Sequence, residues 1–254
     1  RDLATPEVLW LGTPLAVDKA KAARDAALEK SGYAAALHTQ AGSLLMGRRT
    51  SIAFDPPKAG CARVDVVAGA PLALFEARLV DDQGAVHASG SAAESVALFA
   101  CNRAKSRVDL EVRGRPGPFS LAVRKEPWSD AWFDKRPVAA ARMLARLAQG
   151  SASLLEGAAG SVRPVSLDPA KVVTLDDTAP AGKCLRVGVG VEGEGSGLDV
   201  RVFDAGTSEE LDRAHGSTAA AVRACADGAA PRALKIEVRA SAGKLEGVVG
   251  TRTR

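Results

Sequence analysis

Apolar and polar residues alternate with a period of two along most of the chain. The stretches "ARVDVVAG" (62–69), "LALFEARLVD" (72–81), "AESVALFAC" (93–101), "RVDLEVRG" (107–114) and "PFSLAVR" (118–124) follow this rhythm, and clusters of Gly, Pro, Asp and Asn separate them. Such short segments predict half-buried strands joined by tight turns. Two stretches break the rhythm and predict helices. In "LAVDKAKAARDAALEK" (15–30), Thr13 can cap, Pro14 can start the helix, and Ser31-Gly32 stops it. In "VAAARMLARLAQ" (138–149), Pro137 starts a helix on which Ala140, Met143, Leu144 and Leu147 share a face and which Gly150 ends. The segment "YAAALHTQ" (33–40) also reads as helical and carries His38.

The pattern occurs twice. "PPKAGCARVDVVAGAPLALFEARLVD" (56–81) is echoed by "APAGKCLRVGVGVEGEGSGLDVRVFD" (179–204), with Cys61 opposite Cys184 and Asp81 opposite Asp204 at one offset, 184 − 61 = 123. "SVALFAC", ending at Cys101, answers "AAVRAC", ending at Cys225, and "SRVDLEVRGRPGPFSLAVR" from Ser106 answers "RALKIEVRASAGKLEGVVG" from Arg232. Upstream, "SLLMG" from Ser43 matches "SLLEG" from Ser153, each followed by an apolar-x-apolar-Asp that ends at Asp55 and Asp168. Five to seven strands per copy, too close together for crossover helices, predict a mainly β protein. The expected architecture is two tandem antiparallel β-sandwich, jelly-roll-like domains, each preceded by a short α-helical segment. The boundaries fall at 1–126 (sandwich about 43–126) and 127–254 (sandwich about 151–254).

The repeat disposes of one motif. "GVGVEG" (188–193) spells the G-x-G-x-x-G of a dinucleotide-binding turn, but Gly188, Gly190 and Gly193 fall opposite Asp65, Val67 and Ala70, and no helix follows to hold a pyrophosphate. These glycines are assigned to a strand end and a hairpin loop.

Cys61 opens one strand and Cys101 closes another; Cys184 and Cys225 repeat the arrangement. A strand start and a strand end lie side by side in an antiparallel pair, so the expected disulfides are Cys61 to Cys101 and Cys184 to Cys225, each worth roughly 4 kcal/mol in the chain-entropy account. Zinc would want C-x-x-C and paired histidines. Paired disulfides favour an oxidising compartment, periplasmic or extracellular.

These residues together, the cysteine strand, the apolar strand ending in Asp, the loop "DDQGAVHASG" and the late "EVRGRPGPFSLAV", resemble the bacterial pre-peptidase C-terminal type of β-sandwich over 57–124 and 180–250. The resemblance implies jelly-roll-like modules that occur singly or in tandem on exported proteins and are accessory rather than catalytic. The chain departs from that type in its cysteine pairs and its leading helices, and it contains no peptidase domain.

The chemistry-bearing residues are few. His87 and His215 are placed in the loops before Gly90 and Gly216, in near-corresponding positions, and no nucleophile elbow accompanies them, so no catalytic residue and no cofactor are assigned. Asp81, Asp82 and Asp204 fit either a calcium loop or Asp-initiated turns, and the turns are preferred. "PWSDAWFDKRP" (127–137) brings Trp128, Trp132 and Phe133 together in a chain with 4% aromatics. They are a candidate partner interface, or else a buried hinge between the second helix and the first sandwich, with Trp10 as a counterpart.

At 254 residues, 46% hydrophobic and 25% charged, with 34 basic and 30 acidic residues, the chain has the composition of a folded protein. Its longest basic cluster, "GRRT" (47–50), is too small for a nucleic-acid footprint, and no apolar run has the length of a membrane helix. "RDLATPEVLW" has no signal-peptide core, and because the chain opens on Arg an export signal or lipid anchor ahead of it is left open. The expectation is a non-catalytic periplasmic or cell-surface module docking on other envelope proteins, or, alternatively, an accessory carbohydrate or calcium-dependent ligand binder.

Overall fold

The computed structural model describes residues 17–101, 105–148, 158–193 and 197–253. Helix α1 (Val17–Lys30) leads into β1 (His38–Leu44), β2 (Arg49–Phe54), β3 (Ala62–Ala68), β4 (Ala73–Asp81), β5 (Val86–Ala92), β6 (Ser95–Ala100), β7 (Ser106–Arg115) and β8 (Gly117–Lys125). Helices α2 (Ala131–Lys135) and α3 (Pro137–Ala148) follow. The second set is β9 (Ala158–Leu167), β10 (Val173–Ala179), β11 (Cys184–Val191), β12 (Leu198–Asp204), β13 (Glu210–Gly216), β14 (Ala219–Cys225), β15 (Arg232–Ala240) and β16 (Leu245–Thr253).

Strand order gives the fold. The first unit pairs sheet β1-β8-β3-β6 with sheet β2-β7-β4-β5, and the second pairs β9-β16-β11-β14 with β10-β15-β12-β13. Adding eight to each strand number converts one unit into the other, and all pairings are antiparallel. Eight strands in this order make a jelly roll, so the protein is two jelly rolls in tandem. Alternate residues of facing sheets fill each core: Val64, Val66, Phe75, Leu79, Leu110 and Leu121 in the first, Val187, Val189, Val200, Val202, Ile236 and Val249 in the second. Even an irregularity repeats, since a bulge falls between Leu79 and Val80 and again between Val202 and Phe203. The outward faces carry related ion pairs: Glu76–Arg78 answers Asp199–Arg201, while the second arginine is Arg113 from β7 in the first unit and Arg213 from β13, the counterpart of β5, in the second.

Three expectations are corrected. The helical reading of 33–40 fails because Gly32, at φ +84, ends α1, after which His38 opens β1 opposite Val123. The alanines there favour helix locally, but an unpaired flank of β8 offers a full ladder of hydrogen bonds, and tertiary pairing overrides propensity. The upstream arm of the repeat is off by one strand: Asp55 follows β2, whereas Asp168 follows β9, the counterpart of β1. A short apolar-x-apolar-Asp recurs at several strand ends and cannot fix register. Finally, the glycines of 188–193 do not form a hairpin: Gly188 and Gly190 lie within the second half of β11, and Gly193 follows its end in a connection that crosses to the other sheet. The readings on Trp10, Thr13, Pro14, Gly150 and "SLLEG" lie outside the described residues. Among the described residues, no helix is long and apolar enough to cross a membrane.

Candidate functional site

Helix α3 organises the junction of the two units. A helix on one sheet buries one stripe, but α3 buries Ala139, Ala140, Ala141, Met143, Leu144 and Leu147, because it packs on β11, β14 and β16 of the second unit and on β6 of the first. Its seat on β11 is made by absent side chains. A methyl group on Gly190 would overlap the Ala139 carbonyl oxygen and lie 2.8 Å from Met143 N; one on Gly188 would lie 2.7 Å from Leu147 Cγ. These glycines serve helix-on-sheet contact, with no phosphate-binding geometry.

Three arginines fasten this arrangement. Arg136 donates to the carbonyls of Val165 and Gly247, Arg142 donates to the carbonyls of Val191 and Gly193 at 2.7 and 2.8 Å, and Arg186 donates to the carbonyl of Leu147 at 3.0 Å. Arg186 thereby donates to a carbonyl in the last turn of α3, where a cation is also favoured by the helix dipole.

The candidate interface residues lie at this junction. Trp128 and Phe133 are buried and meet edge to face at 5.6 Å, packed with Phe99, Cys61, Cys101, Met143 and Val248. Trp132 is half-buried under Lys135 and Arg136. Asp130 caps α2 through the Trp132 backbone N–H. The aromatic density that the sequence offered to a partner is thus largely consumed between the protein's own two units.

Beside it lies a buried ionic chain that the sequence reading missed. Arg63, fully buried, donates to Asp65 from Nε at 2.8 Å and Nη2 at 3.0 Å, while Arg24 of α1 donates to the same carboxylate from Nε and Nη2. Arg63 Nη1 donates to the Tyr33 hydroxyl at 3.1 Å, and that hydroxyl donates to Glu126 Oε2. Glu126 Oε1 accepts from the Trp128 backbone N–H and from Arg252 Nη2, both at 3.3 Å. Arg63 also lies between the Tyr33 and Phe99 rings, and Arg252 over Trp128. The chain therefore links α1, β3, the linker and β16. Burial pushes the Asp65 carboxyl upward, yet Arg63 and Arg24 outweigh it and hold the group below the usual carboxylate range. Burial, opposed by Arg63 and reinforced by Glu126, raises the Tyr33 hydroxyl and keeps it a donor. Two signals for this cluster stand in the sequence: paired charges inside the apolar strand "ARVDVVA" and the single tyrosine of the chain.

Both disulfides form as expected, Cys61 with Cys101 and Cys184 with Cys225, each across an antiparallel strand pair. Their surroundings differ. Cys61 and Cys101 are buried under the junction, whereas Cys184 and Cys225 are half-exposed and Arg223 Nη2 lies 3.0 Å from Cys184 Sγ. Exposure and a neighbouring guanidinium both favour attack and thiolate release. Limiting reductant followed by alkylation and peptide mapping is expected to open Cys184–Cys225 first; labelling of Cys61 first would contradict this.

The histidines are in strands, not in loops. His87 is in β5, with Nε2 2.7 Å from Asp81 Oδ2, and His215 is in β13, with Nδ1 3.3 Å from Asp199 Oδ1. They do not correspond: His215 pairs with Asp199, whose counterpart Glu76 pairs with Ser91 in the first unit. Asp81 and Asp204 do correspond. Asp81 Oδ1 accepts from Gln83 and Ala85, and Asp204 Oδ1 accepts from Gly206 and Thr207, so each carboxylate closes the turn after its strand. Asp204 also faces Arg232 and borders an open cleft of about 590 Å³ lined by Asp227, Gly228 and Pro231. Among the described residues, no group of three His, Cys, Asp or Glu side chains is placed to hold a metal.

No family model matches the sequence, and no curated protein matches it. Solved structures similar to it include the PBSX exported protein XepA (12% identity, covering 89% of this chain and 88% of that one, TM-score 0.28). YhaK from Escherichia coli is 14% identical over 84% of this chain and 82% of that one, at TM-score 0.24. An oxalate decarboxylase of B. subtilis is 11% identical over 86% of this chain and 69% of that one, at TM-score 0.25. Scores this low carry no argument for this chain, whose jelly-roll topology stands on its own strand order.

Proposed function

We propose that the protein is a non-catalytic, exported scaffold: a periplasmic or cell-surface tandem module that holds other envelope proteins at a fixed spacing. The observation that carries this is the junction. Helix α3, the Trp128–Phe133 packing and the Glu126–Arg252 contact tie two jelly rolls together through a common core, and linked sites held this way raise effective concentration without a flexible tether. Both disulfides and the resemblance to pre-peptidase C-terminal modules support export and an accessory role.

The test is fractionation of the host under thiol-blocking conditions, with in-cell crosslinking. Oxidised cysteines in the envelope fraction and a crosslinked partner of constant stoichiometry are expected. Four free thiols in the cytosolic fraction, or substrate turnover abolished by changing His87 or His215, would overturn the reading. The cleft beside Asp204 favours a second reading, an accessory binder of a small polar ligand. A thermal shift that grows with sugar or calcium concentration and disappears in Asp227→Ala would support it; no shift would remove it.

A further inference from the structure

We propose that one end of the first jelly roll, where Leu45, Met46 and Leu74 project beside Arg48, Arg49 and Arg115, docks on an anionic lipid bilayer. The inference goes beyond the scaffold reading and stands without it.

Few large apolar side chains of the described residues are exposed, and three of them sit at this end: Leu45 (51%), Met46 (58%) and Leu74 (45%). Register brings their loops together. Leu44, at the end of β1, pairs with Gly117, and Ala73 pairs with Arg115. A methyl on Gly114 would lie 3.1 Å from Leu74 Cβ, and one on Gly117 would lie 2.9 Å from Leu72 Cα, so the β3–β4 and β7–β8 connections are in contact. The β1–β2 turn projects into open space, since nothing lies within 4 Å of a methyl placed on Gly47.

The charge around this tip is positive. Arg48, Arg49 and Arg115 are exposed and have no ion-pair partner among the described residues. Arg113 nearby is held by Glu76 and Glu111; Glu111 also stands opposite Arg49 across the β2–β7 pair, and Glu94, after β5, lies at the same end, so Arg48 and Arg115 carry most of the positive rim. Asp18 at the start of α1 is offset by Lys19.

The second unit shows that the fold does not require this surface. Its corresponding end carries Asp168, Lys171 and Lys244, and Val172 is its exposed large apolar residue among those described. The same jelly roll thus has an apolar, arginine-rimmed tip in one copy and a polar turn in the other. Projecting apolar side chains in an arginine rim match a bilayer interface: the chains enter the acyl boundary while the guanidinium groups stay among anionic headgroups.

The experiment is flotation of the full chain with phosphatidylcholine vesicles, with and without about a third phosphatidylglycerol. Binding is expected only to the anionic vesicles and to weaken with salt. Arg48→Ala with Arg115→Ala should cut partitioning about thirtyfold, and Leu45→Ser with Met46→Ser should cut it about tenfold or more. All of these changes are at exposed positions, and an unchanged thermal melt shows that each variant is folded. Lys171→Ala in the second unit should leave binding intact. No binding to anionic vesicles would overturn the proposal. So would binding indifferent to Leu45 and Met46, which would be simple adsorption, or capture of an acidic protein by this tip without vesicle binding.

Discussion

Replacing Gly190 with valine is expected to destabilise the protein by about 3 kcal/mol, at the upper end of the cost of overpacking a close-packed interior. The size follows from what the new side chain would meet. Its first carbon alone would overlap the Ala139 carbonyl oxygen and approach Met143 N, and these are backbone atoms of a helix that cannot yield singly. Relief requires lifting α3 off β11, which uncovers Leu144, Leu147 and Met143 and disturbs the packing of Trp128 and Phe133. Gly188→Ala is the graded control, since its nearest contacts are side-chain atoms of Leu147, which can turn aside; about 1 kcal/mol is expected there. Urea unfolding followed by tryptophan emission reads both, because Trp128 and Trp132 report from the junction itself. A Gly190→Val midpoint equal to that of Gly188→Ala would mean that α3 rests on the sheet loosely and that the two units are not one packed body.

These glycines also show where sequence reading reached and where it stopped. Period-two alternation and the 123-residue offset lead directly to sheet faces, the repeat and both disulfides, because each follows from the pleat of the chain and nearest-neighbour pairing. Asp81 and Asp204 were legible for the same reason, as a turn is closed within a few residues of its own sequence. The use of Gly188 and Gly190 was not, because a missing side chain states only that something comes close, and a phosphate, a turn and a helix give the same letter. His87 and His215 looked equivalent by position, yet strand register puts their partners at different rungs. The aromatic cluster was visible as composition, but whether Trp128 faces a partner or the protein's own second unit depends on α3, which pairs with nothing local. The tip at Leu45 was hidden for another reason: "SLLMG" stands in the sequence as an arm of the repeat, and only the register that ends β1 at Leu44 puts Leu45 and Met46 in a turn.

Asp65→Asn is expected to cost about 3–5 kcal/mol, the range for removing one partner of a buried ion pair, because Arg63 would stay fully buried with an amide in place of its counter-charge. The same carboxylate sets an acid limit. Its folded value lies below its ordinary one, so its contribution is complete above about pH 4 and is lost as the pH falls through the depressed value. Glu76, held down to about 2 by hydrogen bonds from Arg78 and then Arg113, acts in the same direction, but its arginines are exposed and solvent screens that contribution. Unfolding midpoints of the wild type should therefore be level from neutral pH to about pH 4 and fall below it, whereas Asp65→Asn should start lower and fall less steeply. Arg63→Met combined with Asp65→Leu separates charge from shape. Arg24 is the partner that can swing to solvent, so the double variant should regain most of the stability lost in Asp65→Asn. In the second unit Gly188 stands in Asp65's place and α3 in the place of α1, so the carboxylate sits where Arg24 reaches the first sheet and the glycine where Leu147 of α3 lies close on the second. A double variant as unstable as Asp65→Asn would show that the geometry of the ionic chain, beyond charge balance, holds α1 and the linker against the first sheet.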